Sequence, residues 1–181
     1  MGNYCQERVA IEGMSTSADY DRGVRLVNFP DGTRVRAGAL SSHRIDTPDF
    51  GLYVYGRATR SPSRLGRLVN RLSRRALHGG SWITPWDAEW IHWPDFGVPA
   101  DDQAASSSIV EAFGRAQRGE AVEVCCYGGQ GRTGTILACM AVLAGVPSEE
   151  AVEWVRANYS PRAVERDGQR RWVEWFAARS R

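Results

Sequence analysis

Lysine is absent from this 181-residue chain, and all 23 of its basic positions are arginine. Together with many alanines and glycines, that usage suggests GC-rich coding and says little about chemistry. Histidine is scarce: His43, His78 and His92 lack the spacing of a metal-ligand set, and no Cys/His cluster exists to hold zinc, so no metal is expected. The four cysteines, Cys5, Cys125, Cys126 and Cys139, include two adjacent ones in a chain too long to need a disulfide framework. Reduced thiols are expected. No run of about 20 apolar residues is present to span a bilayer, and the first residues lack the basic, apolar and small-residue order of a secretory signal. Gln6 stands where an acylation signal beginning at Gly2 wants Ser or Thr. These absences predict a cytoplasmic protein with no membrane association. A net charge of +2 is too small to carry nucleic-acid binding by electrostatics alone.

With 43% hydrophobic and 24% charged residues, the chain has the composition of one ordinary core. Residues 1–22 are polar and without period, and read as an N-terminal extension before a single domain over 23–181. Val24 to Phe29 and Thr33 to Ala37 flank Pro30-Asp31-Gly32 and predict a hairpin, and Leu52 to Tyr55 predict another strand. Leu65, Leu68, Val69, Leu72 and Ala76 recur at helical spacing, with Arg60, Arg64, Arg67, Arg71 and Arg74 on another face. This arginine-faced helix over 60–75 is either a solvated face or a dock for an acidic partner. The segment Trp82 to Trp93 holds four tryptophans and is interrupted by Pro85, which fits a buried strand or a packed loop; its end is assigned as loop.

The second half is more clearly punctuated. A helix is predicted from Ala104 to Arg118 with Gly119 as its stop, then an apolar strand Ala121 to Cys125, a glycine-rich turn, and a buried helix from Arg132 to Gly145. Ser148 is the expected N-cap of a further helix, and a last helix covers about Asp167 to Ala178.

The turn is the segment with chemistry in it. Between strand and helix, Gly128, Gly129 and Gly131 let successive backbone N–H groups face inward, and the helix adds its positive end, making an anion cradle. The N–H groups, the helix end and the Arg132 charge favour a thiolate at Cys126, a nucleophile at neutral pH. Arg132 can grip two phosphoryl oxygens, and Thr133 is placed to hydrogen-bond the sulfur. Tyr127, Gly128, Gly129, Gln130 and Gly131 complete the expected substrate-binding loop.

Cysteine, five residues, then Arg-Thr-Gly in this context resembles the Cys-x5-Arg signature of the protein tyrosine and dual-specificity phosphatases. A second motif stands 31 positions before Cys126: Trp93-Pro94-Asp95-Phe96-Gly97-Val98-Pro99 is similar to the mobile Trp-Pro-Asp loop of the same superfamily, which makes Asp95 the candidate general acid. Ala163 to Gln169 resembles the family's loop that positions the hydrolytic water, with Gln169 as the residue expected to do it. The resemblance covers about Asp49 to Phe176, looks closest to compact bacterial members of dual-specificity size, and leaves the first 48 residues unmatched. It implies an α/β fold, a central mixed β-sheet flanked by helices, with the phosphate-binding loop between strand and helix. It also implies a two-step phosphatase reaction through a phospho-cysteine, with no cofactor. A loop without cations suits a singly phosphorylated group, phosphotyrosine first, with dual specificity as the alternative. Two other classes are less well served: a non-catalytic phosphopeptide-binding module, because Cys126 and Asp95 are both present, and an arsenate-reductase-like redox enzyme, because of the acid loop. Cys125 is the departure, since the family usually has His before the nucleophile.

Overall fold

The structure is a computed structural model that describes residues 23–44, 46–56 and 84–180. The expected N-terminal extension over 1–22 and the arginine-faced helix over 60–75 lie outside the described residues.

The expected hairpin forms from β1 (Arg25–Asn28) and β2 (Arg34–Ala39), antiparallel to each other. Its turn closes because Phe29 N–H donates to the Thr33 carbonyl at 2.8 Å and the Asp31 carboxylate accepts from Thr33 N–H at 3.0 Å. Three parallel strands follow: β3 (Phe50–Tyr55), β4 (Asp87–His92) and, after a helix, β5 (Val122–Cys126). The sheet order is β1-β2-β5-β3-β4, so the mixed sheet places β5 at its centre. Of the two readings of the Trp-rich segment, a strand forms over Asp87–His92, and the expected loop begins at Trp93. Pro85 and Pro94 bound this edge strand rather than break it, and its aromatic and charged side chains alternate between half-buried and exposed, which hides the period of 2.

Residues at alternate positions, Val35, Ala37, Phe50, Leu52, Val54, Val122, Val124 and Cys126, join one hydrophobic cluster with the helices. Helix α1 (Asp102–Gln117) begins where the Asp101 carboxylate accepts from Ala104 N–H at 3.0 Å and ends at Gly119, whose φ of 92° is the left-handed turn glycine tolerates. Helix α2 (Gly131–Leu143) is buried along nearly its whole length, which is why its sequence is apolar on every side. Helix α3 (Ala151–Asn158) starts later than expected: Ser148 donates to the Glu149 carboxylate at 3.1 Å, and Glu150 takes the cap position with no side-chain bond. Helix α4 (Asp167–Ala177) buries Trp172, Val173 and Phe176.

The other face of the sheet carries a polar network. Glu123 on β5 is fully buried and receives Arg44 Nε at 2.7 and 2.9 Å and the Tyr53 hydroxyl at 2.9 Å. Trp86 Nε1 donates to the Tyr53 oxygen at 2.9 Å. Burial and then Glu123 push the Tyr53 hydroxyl far above its ordinary pKa. Among the described residues no helix is long and apolar enough to cross a membrane.

Candidate active site

Cys126 is the last residue of β5, with Ala39 ending β2 on one side and Val54 near the end of β3 on the other. It therefore stands in the crevice at the carboxyl edge of the parallel strands, where open α/β sheets bind ligands. The loop that follows is shaped by contacts only glycine permits. At Gly129 φ is 67°, and a Cβ there would come within 2.5 Å of Ala39 N and 2.6 Å of the Gly38 carbonyl carbon. The Gly129 carbonyl is turned away from the cleft to accept the buried Tyr159 hydroxyl. Burial pushes that hydroxyl far above its ordinary pKa, so it stays a donor. Among the described residues no protein acceptor meets the backbone N–H groups of Gly128 through Thr133. Those donors and the start of α2 form the anion cradle.

Arg132, in the first turn of α2, is 3% exposed. Its Nη1 donates to the Gly56 carbonyl at 3.1 Å and the Trp93 carbonyl at 3.0 Å, so residues just past the ends of β3 and β4 hold the guanidinium. Its Nη2 lies 3.0 Å from an Asp95 carboxylate oxygen. Among the described residues the guanidinium hydrogen-bonds only through Nη1, to the two carbonyls, and its contact with Asp95 is an ion pair. Thr133 differs from the expectation. Its hydroxyl is fully buried and has the Gly38 carbonyl, 3.4 Å away, as its hydrogen-bond acceptor among the described residues.

The loop bearing Asp95 is anchored from below. Trp93 is fully buried, donates from Nε1 to the Gly97 carbonyl at 2.7 Å and packs on Trp172 with ring centres 5.0 Å apart. Gly97 N–H donates back to the Pro94 carbonyl at 3.0 Å, closing a tight turn around Asp95 and Phe96. Phe96 has φ of 59° and is half exposed, with the Arg166 guanidinium 4.9 Å over its ring.

The cleft has a volume of about 200 Å³ and brings together Cys126, Tyr127, Gly128, Gln130, Gly131 and Arg132 with Asp95 and Phe96. Gly129 lies behind the loop, not at the cleft surface. Gln169 is not brought to the cleft either. It is fully buried, its carbonyl accepts Glu165 N–H at 2.9 Å, and its Nε2 meets no partner among the described residues. In its place the cleft is lined by Arg162 and Glu165, which the sequence did not single out. The reason is local. Val164 takes φ of 58°, and Arg156 holds the Ala163 and Val164 carbonyls at 3.1 Å each. That backbone turn sets the Glu165 carboxylate against Gly131, where even a Cβ would collide with it. Gly134 permits the same loop to dock, since a Cβ there would be 2.6 Å from the Ala163 Cβ. A β-branched residue held at positive φ has no signature in sequence.

Cys125 points to the other face of β5, its sulfur 4.0 Å from Arg44 Nη2. Burial, then Glu123, pushes its thiol well up, and burial alone does so for Cys139. Among the described residues no three His, Cys, Asp or Glu side chains gather as a metal site would require.

Comparison with known proteins places this geometry. Residues 93–171, which span the Asp95 loop, the cradle and the Glu165 segment, match the family model PTP-SAK, a Swiss Army Knife protein, DSP-PTPase phosphatase domain. The uncharacterised protein MJECL20 of Methanocaldococcus jannaschii is 32% identical over 118 residues, covering 59% of this chain and 77% of that protein. Among solved structures, the active form of Tk-PTP superposes with a TM-score of 0.51 at 22% identity, over 73% of this chain and 80% of that one. The kinase associated phosphatase, crystallised with its catalytic cysteine replaced by serine, gives a TM-score of 0.55 at 14% identity, over 87% of this chain and 96% of that one. Strand order, cradle and family match agree, and the chain belongs to the protein tyrosine phosphatase superfamily, among its dual-specificity-like members.

Proposed function

We propose that the protein is an active cysteine-dependent phosphatase that hydrolyses phosphate monoesters, phosphotyrosine on proteins before others. The observation that carries this is the convergence of Cys126, the Arg132 guanidinium and the Asp95 carboxyl on one cleft whose loop N–H groups meet no protein acceptor among the described residues. In the reading, a phosphate entering the cradle takes Nε–H and Nη2–H of Arg132 in a two-pronged contact. That displaces Asp95 from the arginine and frees its carboxyl for the leaving oxygen. The Cys126 sulfur bonds to phosphorus as the P–O ester bond breaks, and Asp95 gives its proton to the departing oxygen. A water then attacks phosphorus, the S–P bond breaks, and Asp95 takes the water's proton. Glu165, not Gln169, is the reading's choice for holding that water, because its carboxylate lines the cleft while Gln169 braces it from behind.

The test is hydrolysis of an aryl phosphate without added metal, with inhibition by vanadate. Cys126→Ser should abolish turnover with the fold intact. Asp95→Ala should cut kcat strongly while KM stays similar or falls, since the variant also releases Arg132, and the loss should shrink for an ester whose leaving group needs no proton. Residual turnover in Cys126→Ser near the wild-type rate overturns the proposal. Comparison of phosphotyrosine with phosphoserine and phosphothreonine peptides decides between tyrosine and dual specificity.

A further inference from the structure

The loop from Cys126 to Arg132 is built on Gly128, Gly129 and Gly131, residues with little conformational preference of their own, so its shape has to be imposed by what lies behind it. Because a trans peptide sets its C=O opposite its N–H, each N–H turned toward an anion sends a carbonyl away from it, and that carbonyl needs a partner. At the two ends of the loop the partners are backbone: the Cys126 carbonyl accepts Leu40 N–H at 2.9 Å, and the Gln130 carbonyl accepts Gly134 N–H at 2.7 Å. Between them, among the described residues, the Gly129 carbonyl is the one that has a partner, and that partner is a side chain, the Tyr159 hydroxyl. Tyr159 closes α3, where its own N–H donates to the Val155 carbonyl at 2.9 Å and its carbonyl accepts Arg25 Nη1 at 3.0 Å from β1. It is buried and takes no part in lining the cleft. A rigid phenol thus reaches the middle of the loop from outside the site.

A carbonyl that is not held can turn. Rotation of the peptide between Gly129 and Gln130 would carry the Gly129 oxygen into the cradle and take Gln130 N–H out of it, and glycine at 129 has no side chain to resist the change. The cradle would exchange a donor for the negative end of a dipole, facing both a phosphate and the Cys126 thiolate. Resting on the phosphatase reading above, we infer that Tyr159 is a positioning residue for catalysis, whose hydroxyl holds the Gly129 carbonyl outward and thereby keeps Gln130 N–H aimed at phosphate and at the Cys126 sulfur. The role needs a proton on the phenol at neutral pH. Burial, then the Cys126 and Cys125 charges, keep it there.

Tyr159→Phe removes one oxygen and keeps the buried ring. Inhibition by vanadate reads the cradle's hold on an oxyanion. The pH dependence of Cys126 alkylation by iodoacetamide, followed by peptide mass mapping, reads its hold on the thiolate. The charged and titratable groups around that sulfur are Arg132, Asp95, Glu165 and Arg162 at the cleft, Tyr159 behind the loop and Cys125 through the strand, and the substitution changes Tyr159 alone. Tyr159→Phe should raise the vanadate inhibition constant and lower kcat/KM by about 10-fold to 100-fold each, less than the roughly 10²- to 10³-fold of deleting an oxyanion donor outright, because the loop still visits the held form. The alkylation midpoint should rise by about half a pH unit or more. Ile109→Val, a core truncation in α1 of comparable cost to stability, should move none of the three. Wild-type vanadate affinity and alkylation midpoint in Tyr159→Phe, or equal shifts in Ile109→Val, overturn the inference. Should Tyr159→Phe not fold, Arg25→Met, which loosens the mount of Tyr159 and leaves its hydroxyl in place, decides by the same two readings. If wild type turns over no aryl phosphate, the phosphatase reading fails instead, and the alkylation midpoint, which needs no turnover, still decides the role of Tyr159.

Discussion

Val164 holds a left-handed backbone that costs a non-glycine residue on the order of 1–3 kcal/mol, a conformation that persists only where the surroundings over-determine it. Here Arg156, Gly134 and Gln169 all hold the segment, and the product of the strain is one side chain, Glu165, delivered to the cleft. The division of labour between Glu165 and Gln169 is testable by pre-steady-state kinetics. Glu165→Ala should keep the fast first burst of aryl alcohol, because attack by Cys126 is untouched, while slowing the later steady rate by about 10-fold to 100-fold, less than the roughly 10²- to 10⁴-fold of a proton-transfer partner because Asp95 remains to take the water's proton. Gln169→Ala should act mainly through stability, since it removes the brace on Glu165 N–H and leaves a cavity. Equal loss of burst and steady rate in Glu165→Ala would assign that residue to binding instead. A Gln169→Ala variant of wild-type stability but low steady rate would return the role to Gln169.

At the scale of elements, the Asp95 loop is a short segment between β4 and α1 whose tip is held at two points. One is the Asp95–Arg132 ion pair, and the other is the Arg166 guanidinium on Phe96. On the proposed mechanism, substrate phosphate would compete with the first but not with the second. Arg166 is therefore expected, on that mechanism, to act as a positioning residue, keeping the tip docked on the segment before α4 while Asp95 changes partner. A cation over an exposed aromatic ring is worth about 0.5–1 kcal/mol, so Arg166→Ala should cost only about twofold to fivefold. The cost should appear in kcat for esters whose leaving group needs a proton and be absent for activated esters, a split read from a series of aryl phosphates of different leaving-group basicity. Equal effects across the series would show that Arg166 does not act through the loop.

At the scale of the whole molecule, several acidic protons are kept by burial on both sides of the sheet. The hydroxyls of Tyr53 and Tyr159 and the thiols of Cys125 and Cys139 all have their pKa raised in the folded state. For such groups the unfolded chain loses its protons first as pH rises, so the folded state binds more protons and stability falls with increasing pH. The stability they contribute is complete below the unfolded values, about 8.5 for the thiols and about 10 for the tyrosines, and declines above them. Denaturant midpoints should hold level to about pH 8 and drop progressively toward pH 11. Tyr53→Phe should flatten the upper part of that decline, even though losing the bond to Glu123 lowers its stability at neutral pH. A midpoint that rises between pH 9 and 11 would contradict this account.

Much of this protein is local and so can be read from its residues in order. Pro30-Asp31-Gly32 makes its hairpin, Asp101 and Gly119 begin and end α1, and the spacing from Cys126 to Arg132 sets the cradle, because each depends on neighbours within one turn of chain. Strand β4 was left between strand and loop because only one of its six residues, Ile91, is buried, so its apolar period is weak. What only the tertiary structure decided is which distant residues meet. Gly56 and Trp93 offer their carbonyls to Arg132, and Asp95 meets the same guanidinium, because the sheet order brings the ends of β3 and β4 beside β5. Thr133 turned to Gly38 for the same reason, β2 being the other neighbour of β5. Glu165 and Arg162 reached the cleft through a backbone conformation at Val164 that its side chain opposes and its surroundings impose. Residue type and spacing determined the reactive centre; packing between elements far apart in the chain determined what surrounds it.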